Sequence, residues 1–576
     1  MGTAIRFRVD GVDIEIEEGR VGLSLLEVLR DHLGKRSVKD GCAPQGQCGC
    51  CTVWVDGAPR VSCVTPLRRV AGREVTTFDG LGEAVRDRWV AAFVDAGASQ
   101  CGFCTPGIIM RLAARDVAGD AHGGHAGGAV PARDMPGVDG GHAAAIKSAL
   151  AAHLCRCTGW QTIVEAALAA SGTASAPGTA SAPGTASAPE TASAPETASA
   201  PGGSSRDLLA ATIRAGIEGG SPQVVSREAA SGYGGFAEDT APGGALVAVP
   251  DGSGSWVVAP TLSEARAEAG KVQGRRSTLP LRHPLEVPPG CWDLTLQTTF
   301  VEPAYLEPDA SWCLPGGEPA DPLANGGAFG AKRSSPVAEA ARRLADRHGQ
   351  AVRVVFARED VVRMGPKRPP IAAGIRRDST GVVRVARTPG SPGLEAWISA
   401  LASVAPGLEV EEVECLGPPV SPDLRGAGWV EGAVLLAGLR AACGAPGEPG
   451  TGSAEVAAPS GARASARIAP DGQVAVRVCA GEMLDEVTLR SYCLGAAHQA
   501  LGWVRTEGLA VDRDGHVQDL TIRSFGVLPA RVMPRVEVEI AETDGVASNG
   551  SDAVFAAVAA AAWIAEGLPT AWPMER

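Results

Sequence analysis

The sequence predicts a multidomain α+β protein, and three observations predict it. Nine of its fifteen cysteines precede residue 160. A short repeat of Thr, Ala, Ser and Pro divides the first 170 residues from the rest. Beyond that repeat, strand-like and helix-like segments alternate to the end. A chain of 576 residues fits three or four domains at about 150 residues each.

The elements follow in order. Ile5–Val9 and Val12–Ile16 alternate in polarity around Asp10-Gly11 and read as a hairpin. Leu23–Leu33 carries Leu25, Leu26, Val28 and Leu29 on one helical face and stops at Gly34. A Gly/Cys-rich loop spans Gly41–Cys51, and Thr52–Val55 and Arg60–Val64 form a second hairpin around Asp56-Gly57. Four helices are expected next, at Ala84–Ala96, Pro106–Ala114, Ala143–Leu154 and Gln161–Ala170. A Gly/Ala-rich insertion over 116–142, holding His122, His125 and His142, interrupts them as a loop. From Thr173 to Gly202 the hexapeptide Thr-Ala-Ser-Ala-Pro-Gly/Glu recurs five times. With no large apolar side chain to bury, it reads as a disordered linker. Pro336–His348 reads as a helix, Val352–Phe356 and Val536–Ile540 as strands, and Ala553–Ala565 as a buried apolar helix. The expected domains are 1–79, 80–170 with the insertion, a linker at 171–205, and 206–576.

Bulk charge narrows the function. A net charge of −13 argues against nucleic acid and anionic membranes as partners. No apolar core of an export signal appears in Met1–Gly11, so a cytoplasmic location and reduced thiols are expected.

The cysteines carry the chemistry. Cys42, Cys48, Cys51 and Cys63 approximate the plant-type ferredoxin spacing C-x4-C-x2-C with a distant fourth ligand, with one extra residue after Cys42. Cys50 lies inside this loop; Cys51 is the expected ligand of the adjacent pair. Gly41, Gly46 and Gly49 let the backbone turn its N–H groups toward sulfur. Cys101-Gly-Phe-Cys104 and Cys155-Arg-Cys157 supply a second set of four. Zinc also uses C-x2-C pairs, but C-x-C is unusual for it, and two [2Fe–2S] clusters are the favoured reading. Arg156 and the helix start after Thr158 are expected to soften the second cluster's negative charge. Cys291, Cys313, Cys415, Cys443, Cys479 and Cys493 stand apart and read as small buried side chains.

On these motifs the chain resembles the xanthine dehydrogenase/aldehyde oxidase family of molybdenum hydroxylases. Gly41–Val53 with Cys63 resembles its plant-type β-grasp [2Fe–2S] domain. Gln100-Cys-Gly-Phe-Cys-Thr-Pro-Gly107 and Leu154-Cys-Arg-Cys-Thr-Gly-Trp160 resemble its four-helix-bundle [2Fe–2S] domain. The region after the linker resembles the family's molybdopterin subunit in shortened form. The similar segments are Tyr305-Leu-Glu-Pro308, Gly326-Gly-Ala-Phe-Gly-Ala-Lys332, the stretch through Arg358-Glu359-Asp360, Arg425-Gly-Ala-Gly428 and Gly508–Pro569.

The resemblance implies that Gln100, Gly326, Gly327, Phe329, Gly330 and Arg425 contact a molybdopterin cofactor. It also implies an oxidoreductase complex acting on an aldehyde or N-heterocycle. Electrons would pass through the two clusters to an FAD-binding subunit, and a full-length molybdopterin subunit would be a further partner. The family's catalytic glutamate is replaced by Ser548-Asn-Gly-Ser-Asp552, where Asp552 is the candidate base but reads more simply as a helix N-cap. Two alternatives stand beside this reading. One is a docking and electron-transfer subunit whose C-terminal region has lost molybdenum chemistry; the other is a ferredoxin-like carrier fused to an unrelated domain.

Overall fold

The computed structural model describes residues 4–17, 22–42, 44–121, 138–172, 206–271, 277–321, 327–444 and 447–575, with the backbone alone at 116–121 and 138–140. Gly326, His122, His125 and the repeat at 173–202 lie outside the described residues.

The first unit begins with β1 (Ile5–Val9) and β2 (Val12–Ile16), antiparallel across the turn at Asp10-Gly11, where both residues take positive φ. β1 alternates buried and exposed side chains, as a half-buried strand must. α1 (Leu25–Glu27) starts in a capping box between Ser24 and Glu27 and continues as a π-helical turn over Val28–His32. β3 (Thr52–Val55), β4 (Ala58–Val61) and β5 (Glu74–Thr76) complete a sheet of order β2-β1-β5-β3-β4. The strand expected over Arg60–Val64 instead ends at Val61, and a 3-10 turn at Ser62–Val64 presents Cys63 inward.

Four helices follow: α2 (Glu83–Asp95), α3 (Thr105–Ala121), α4 (Val138–Ala149) and α5 (Gln161–Ala170). α2 and α4 pack on α5, and α3 lies on β3. The insertion is smaller than the sequence implied. α3 extends to Ala121 and α4 starts at Val138, so both helices run into it, and His142 sits within α4. The Ala content there sustains helix where Gly is expected to break it.

Past the repeat come α6 (Leu208–Gly219), α7 (Arg227–Ala230), β6 (Leu246–Pro250), β7 (Trp256–Ala259) and α8 (Leu262–Glu268). β8 (Leu294–Gln297), β9 (Ala310–Cys313), α9 (Val337–His348), β10 (Val352–Val355) and α10 (Arg358–Met364) follow. Next are β11 (Ile371–Ile375), β12 (Gly381–Arg387), α11 (Glu395–Val404), β13 (Leu408–Glu414) and α12 (Trp429–Cys443). The chain ends with β14 (Gly452–Ala457), β15 (Arg463–Ile468), β16 (Val474–Cys479), α13 (Glu486–Arg505), β17 (Val536–Ile540) and α14 (Gly550–Ala565). These strands form three mixed sheets, β7-β6-β10-β9, β13-β12-β11-β8 and β14-β15-β16-β17.

α14 is buried from Ala553 through Trp563, between α13 and the sheet of β14, β15 and β16, as its unbroken apolar run requires. Among the described residues no helix is long and apolar enough to cross a membrane.

One hydrophobic cluster runs from Ile5 to Trp572 and takes in all nine early cysteines. The two units therefore share a core, with the thiols inside it. Of the six scattered cysteines, Cys313 and Cys493 are buried, whereas Cys291 and Cys443 are exposed and Cys415 and Cys479 half-buried. The expectation of buried side chains fails for the exposed pair because spacing alone carries no tertiary information.

Candidate functional site

Cys42, Cys48, Cys51 and Cys63 come together where the loop after the π-helical turn meets the 3-10 turn after β4. Cys48 and Cys63 both hydrogen-bond to the Cys42 sulfur, and Cys63 also bonds to Cys51. The backbone amides of Gln45 and Gln47 donate to Cys42 Sγ at 3.1 and 3.5 Å. Cys50 is equally buried, but among these sulfurs it hydrogen-bonds only to Cys48 and lies within electrostatic reach of Cys101 and Cys104. Cys50 and Cys51 each bond to one neighbouring sulfur, Cys48 and Cys63 respectively.

The second set is equally close. Cys157 Sγ lies 3.6 Å from Cys101 Sγ, Cys104 hydrogen-bonds to Cys155, and Thr158 Oγ1 is 3.2 Å from Cys155 Sγ. Hydrogen bonds from Cys104, ahead of the opposing effect of burial, bring the Cys155 thiol down to about 6. Donation to their neighbours, reinforced by burial, pushes Cys48, Cys104 and Cys157 well above the usual thiol range. Two groups of four buried sulfurs, each within hydrogen-bond reach of its neighbours, form a donor set suited to thiolate-ligated iron–sulfur clusters.

The sets are tied to each other. The Leu154 amide donates to the Cys48 carbonyl at 3.0 Å. His153 Nε2 lies 3.2 Å from Thr52 Oγ1; burial, then Arg111, holds its pKa down to about 3, so the ring is neutral. Its role is packing and hydrogen bonding.

α13 runs along the second set. Gly495 permits this approach, because a Cβ there would stand 1.7 Å from the Cys157 carbonyl oxygen. Gln100 Nε2 donates to the Cys157 carbonyl at 3.1 Å and to Ser491 Oγ on α13 at 2.9 Å. Gln100 Oε1 is buried without a hydrogen-bond partner. On the other side sits Gly327, at φ +80°, where a Cβ would lie 3.3 Å from Cys157 Sγ and 3.4 Å from Cys101 Sγ. The glycine loop therefore borders the second cysteine set, with room for no side chain between them. Phe329, in the same loop, packs edge-on against Tyr492 and under the Arg425 guanidinium at 4.4 Å. Gly330, also at positive φ, abuts the Asp423 carbonyl.

Two sequence expectations change, those for Arg156 and Asp552. Arg156 does not face the sulfurs with a free charge: it forms a two-pronged pair with Glu507 at 2.5 and 2.7 Å. Arg425 is buried and donates to Asp552 (2.9 Å), Gln499 (2.9 Å) and Ser551 (2.8 Å). Asp552 is not the N-cap of α14; Asn549 is, accepting from the Asp552 amide at 2.9 Å. Burial raises the Asp552 pKa, while Arg425 opposes that rise. Glu307 likewise pairs with Lys332 at 2.7 Å, and burial carries its pKa up to about 7.

Sequence reasoning missed Glu507, Gln499 and Ser491. Glu507 left one signal: it is the lone acid of an otherwise uncharged stretch, Thr506–Val511, which calls for a buried partner.

A cavity of about 40 Å³ remains among Arg156, Ala328, Phe329, Arg425, Gln499 and Phe555. A wider cavity of about 940 Å³ is lined by the end of α12, β14 and the end of α14 and shares no residue with either cysteine set.

A family model described as the [2Fe-2S] binding domain matches residues 77–168. The xanthine dehydrogenase iron-sulfur-binding subunit of Escherichia coli O157:H7 is 38% identical over 148 residues, covering 26% of this chain and 81% of its own length. The nicotine 6-hydroxylase small subunit of Paenarthrobacter nicotinovorans is 36% identical over 171 residues, covering 28% of this chain and 92% of that protein. The chain belongs to the xanthine dehydrogenase/aldehyde oxidoreductase family of molybdenum hydroxylases. Members of that family are oxidoreductases, and iron–sulfur clusters and a molybdopterin cofactor belong to it. The whole multidomain α+β fold is similar to the aldehyde oxidoreductase of Desulfovibrio gigas, with a TM-score of 0.62 at 13% identity over 97% of each chain. At that identity the likeness concerns the fold alone.

Proposed function

We propose that this chain is the iron–sulfur electron-transfer subunit of a molybdenum hydroxylase complex. Cys42, Cys48, Cys51 and Cys63 hold one [2Fe–2S] cluster, and Cys101, Cys104, Cys155 and Cys157 hold the other. Electrons released when an aldehyde or N-heterocycle is oxidised at a molybdopterin site travel through both clusters to FAD on a partner chain. On this reading residues 1–79 are a plant-type β-grasp domain, 80–170 a helical cluster domain, and 206–576 a shortened molybdopterin-subunit-like region.

The observation that carries the proposal is the meeting of Cys101 and Cys157, at 3.6 Å between sulfurs, with Cys104 bonded to Cys155. Residues 56 apart in sequence converge inside a shared core, as a cluster requires. Each cluster supplies one-electron storage. The chain's own residues set the conditions for it. The Gln45 and Gln47 amides and the Thr158 hydroxyl offer hydrogen bonds to sulfur, which favour the reduced, more negative state. The Leu154–Cys48 backbone bond fixes the spacing of the two sets. Neutral His153 adds no charge between them.

Anaerobic reductive titration of the reconstituted chain tests this. Uptake of about two electrons per chain is expected, one for each cluster, followed by reoxidation when a soluble flavin acceptor is added. Uptake of one electron or none contradicts the proposal.

A further inference from the structure

The family's pterin cofactor needs space and positive charge beside the second cluster, and the structure offers little of either. A drug-sized or cofactor-sized ligand occupies a pocket of roughly 300 to 1,000 Å³. The cavity lined jointly by Phe329, Arg425 and Gln499 holds about 40 Å³. A Cβ added at Gly327 would already meet Cys157 Sγ at 3.3 Å and Cys101 Sγ at 3.4 Å, a gap too narrow to hold a flat ring system between the glycine loop and the sulfurs.

The charges agree with the volume. The three arginines lining the cavity each face a carboxylate: Arg156 with Glu507 at 2.5 Å, Arg368 with Glu431 at 2.8 Å, and Arg425 with Asp552 at 2.9 Å. An anionic phosphate arriving there would have to displace a buried acid from each arginine it used, leaving that acid unpaired. Gln499 is also engaged, accepting from Arg425 and donating to the Arg156 carbonyl at 3.0 Å. Gln100 Oε1 and Arg368 Nη2 are buried without hydrogen-bond partners, and Glu302, which also lines the cavity, is an ion-pair partner of Lys367 at 2.9 Å. One free donor and one free acceptor do not make a site for a ligand of this size in a cavity of about 40 Å³. The residues present do not fit the group.

We propose that this chain fills its own pterin place. The Gly327–Phe329 loop and the three arginine–carboxylate pairs occupy it, and the C-terminal region serves as a cover for the second cysteine set. This rests on the two-cluster reading. It assigns the oxidation of substrate to another chain of the complex and leaves Asp552 as the structural partner of Arg425.

The test uses the whole chain, produced in one cell together with a pterin-loading member of the family as an internal control. Molybdenum and oxidised pterin are then measured in both purified proteins, beside iron. The expected result is pterin and molybdenum at least tenfold lower per chain than in the loaded control. About one pterin per chain overturns the proposal, whatever the iron content. Iron reports separately on the two-cluster reading: a chain without iron sinks that reading and leaves the pterin result standing on its own.

Discussion

Replacing Cys155 with alanine should halve the iron of the purified protein, from about four to about two per chain. The sulfur of Cys155 takes a hydrogen bond from Cys104 and lies 3.2 Å from Thr158 Oγ1, so its removal deletes one corner of the second set. The ligands of the first set come from other segments. Their link to this one is the Leu154 amide bonded to the Cys48 carbonyl, a backbone contact that alanine at 155 preserves. The first cluster's paramagnetic signal should therefore survive while the second disappears. Two controls sharpen the result. Cys493→Ala removes a buried thiol outside both sets and should leave the iron unchanged. Cys50→Ala should also keep about four irons, whereas Cys51→Ala should not, because Cys63 contacts Cys51. Full iron in Cys155→Ala, or lost iron in Cys50→Ala, contradicts the assignment. Because metal binding is coupled to folding, Cys155→Ala should also unfold at a lower temperature.

Asp239→Asn should destabilise the folded chain by about 3 to 5 kcal/mol, read as a lowered denaturant midpoint at neutral pH. Asp239 joins the two units. It accepts from Arg30 at 2.8 Å and pairs with Lys39, whose side chain is wholly buried beside the rings of Phe103 and Phe236. Glu238 reinforces the network through Arg30 at 3.3 Å and Arg353 at 3.6 Å. Asparagine keeps the shape but removes the negative charge between two buried cations, which then repel.

The pH dependence follows from the same groups. Burial tends to raise the Asp239 pKa, but Arg30 and Lys39 outweigh it and hold the carboxyl below its ordinary value. A carboxyl depressed in the folded state contributes stability that is full above its unfolded pKa, about 3.9, and fades as pH falls through the folded value. The gap between wild type and Asp239→Asn should therefore be widest near neutrality and close below about pH 4. A variant as stable as wild type at neutral pH would show that the pairing does not hold the units together.

The N-terminal fold is legible in the sequence because local rules decide it. β1, β2 and β3 fall where alternating polarity and the Asp-Gly turns place them, and α5 and β17 match residue for residue. The thiol sets are legible for a related reason: ligand spacing within Cys101–Cys104 and Cys155–Cys157 is local, and only their meeting is not. What stays hidden depends on contacts far apart in the chain. Arg156 and Glu507 are separated by 351 residues, and Arg425 and Asp552 by 127. No periodicity signals such pairs, so in sequence Arg156 reads as a free charge near sulfur and Arg425 as a cofactor contact with no carboxylate partner. Asp552 misleads for a subtler reason. In Ser548-Asn-Gly-Ser-Asp552 four residues favour the N-cap, and the helix begins one turn earlier than its apolar run, which gives the cap to Asn549. The insertion looks longer in sequence than it is when Ala and Gly are weighed together, although Ala favours helix and Gly opposes it.

The most direct check on the whole account is an assay of iron and acid-labile sulfide in the wild-type chain, reconstituted without air and joined to low-temperature EPR of the reduced protein. We expect about four irons and four sulfides per chain, with two distinct signals that together integrate to about two spins. Two irons with one signal, or zinc in place of iron, would contradict it.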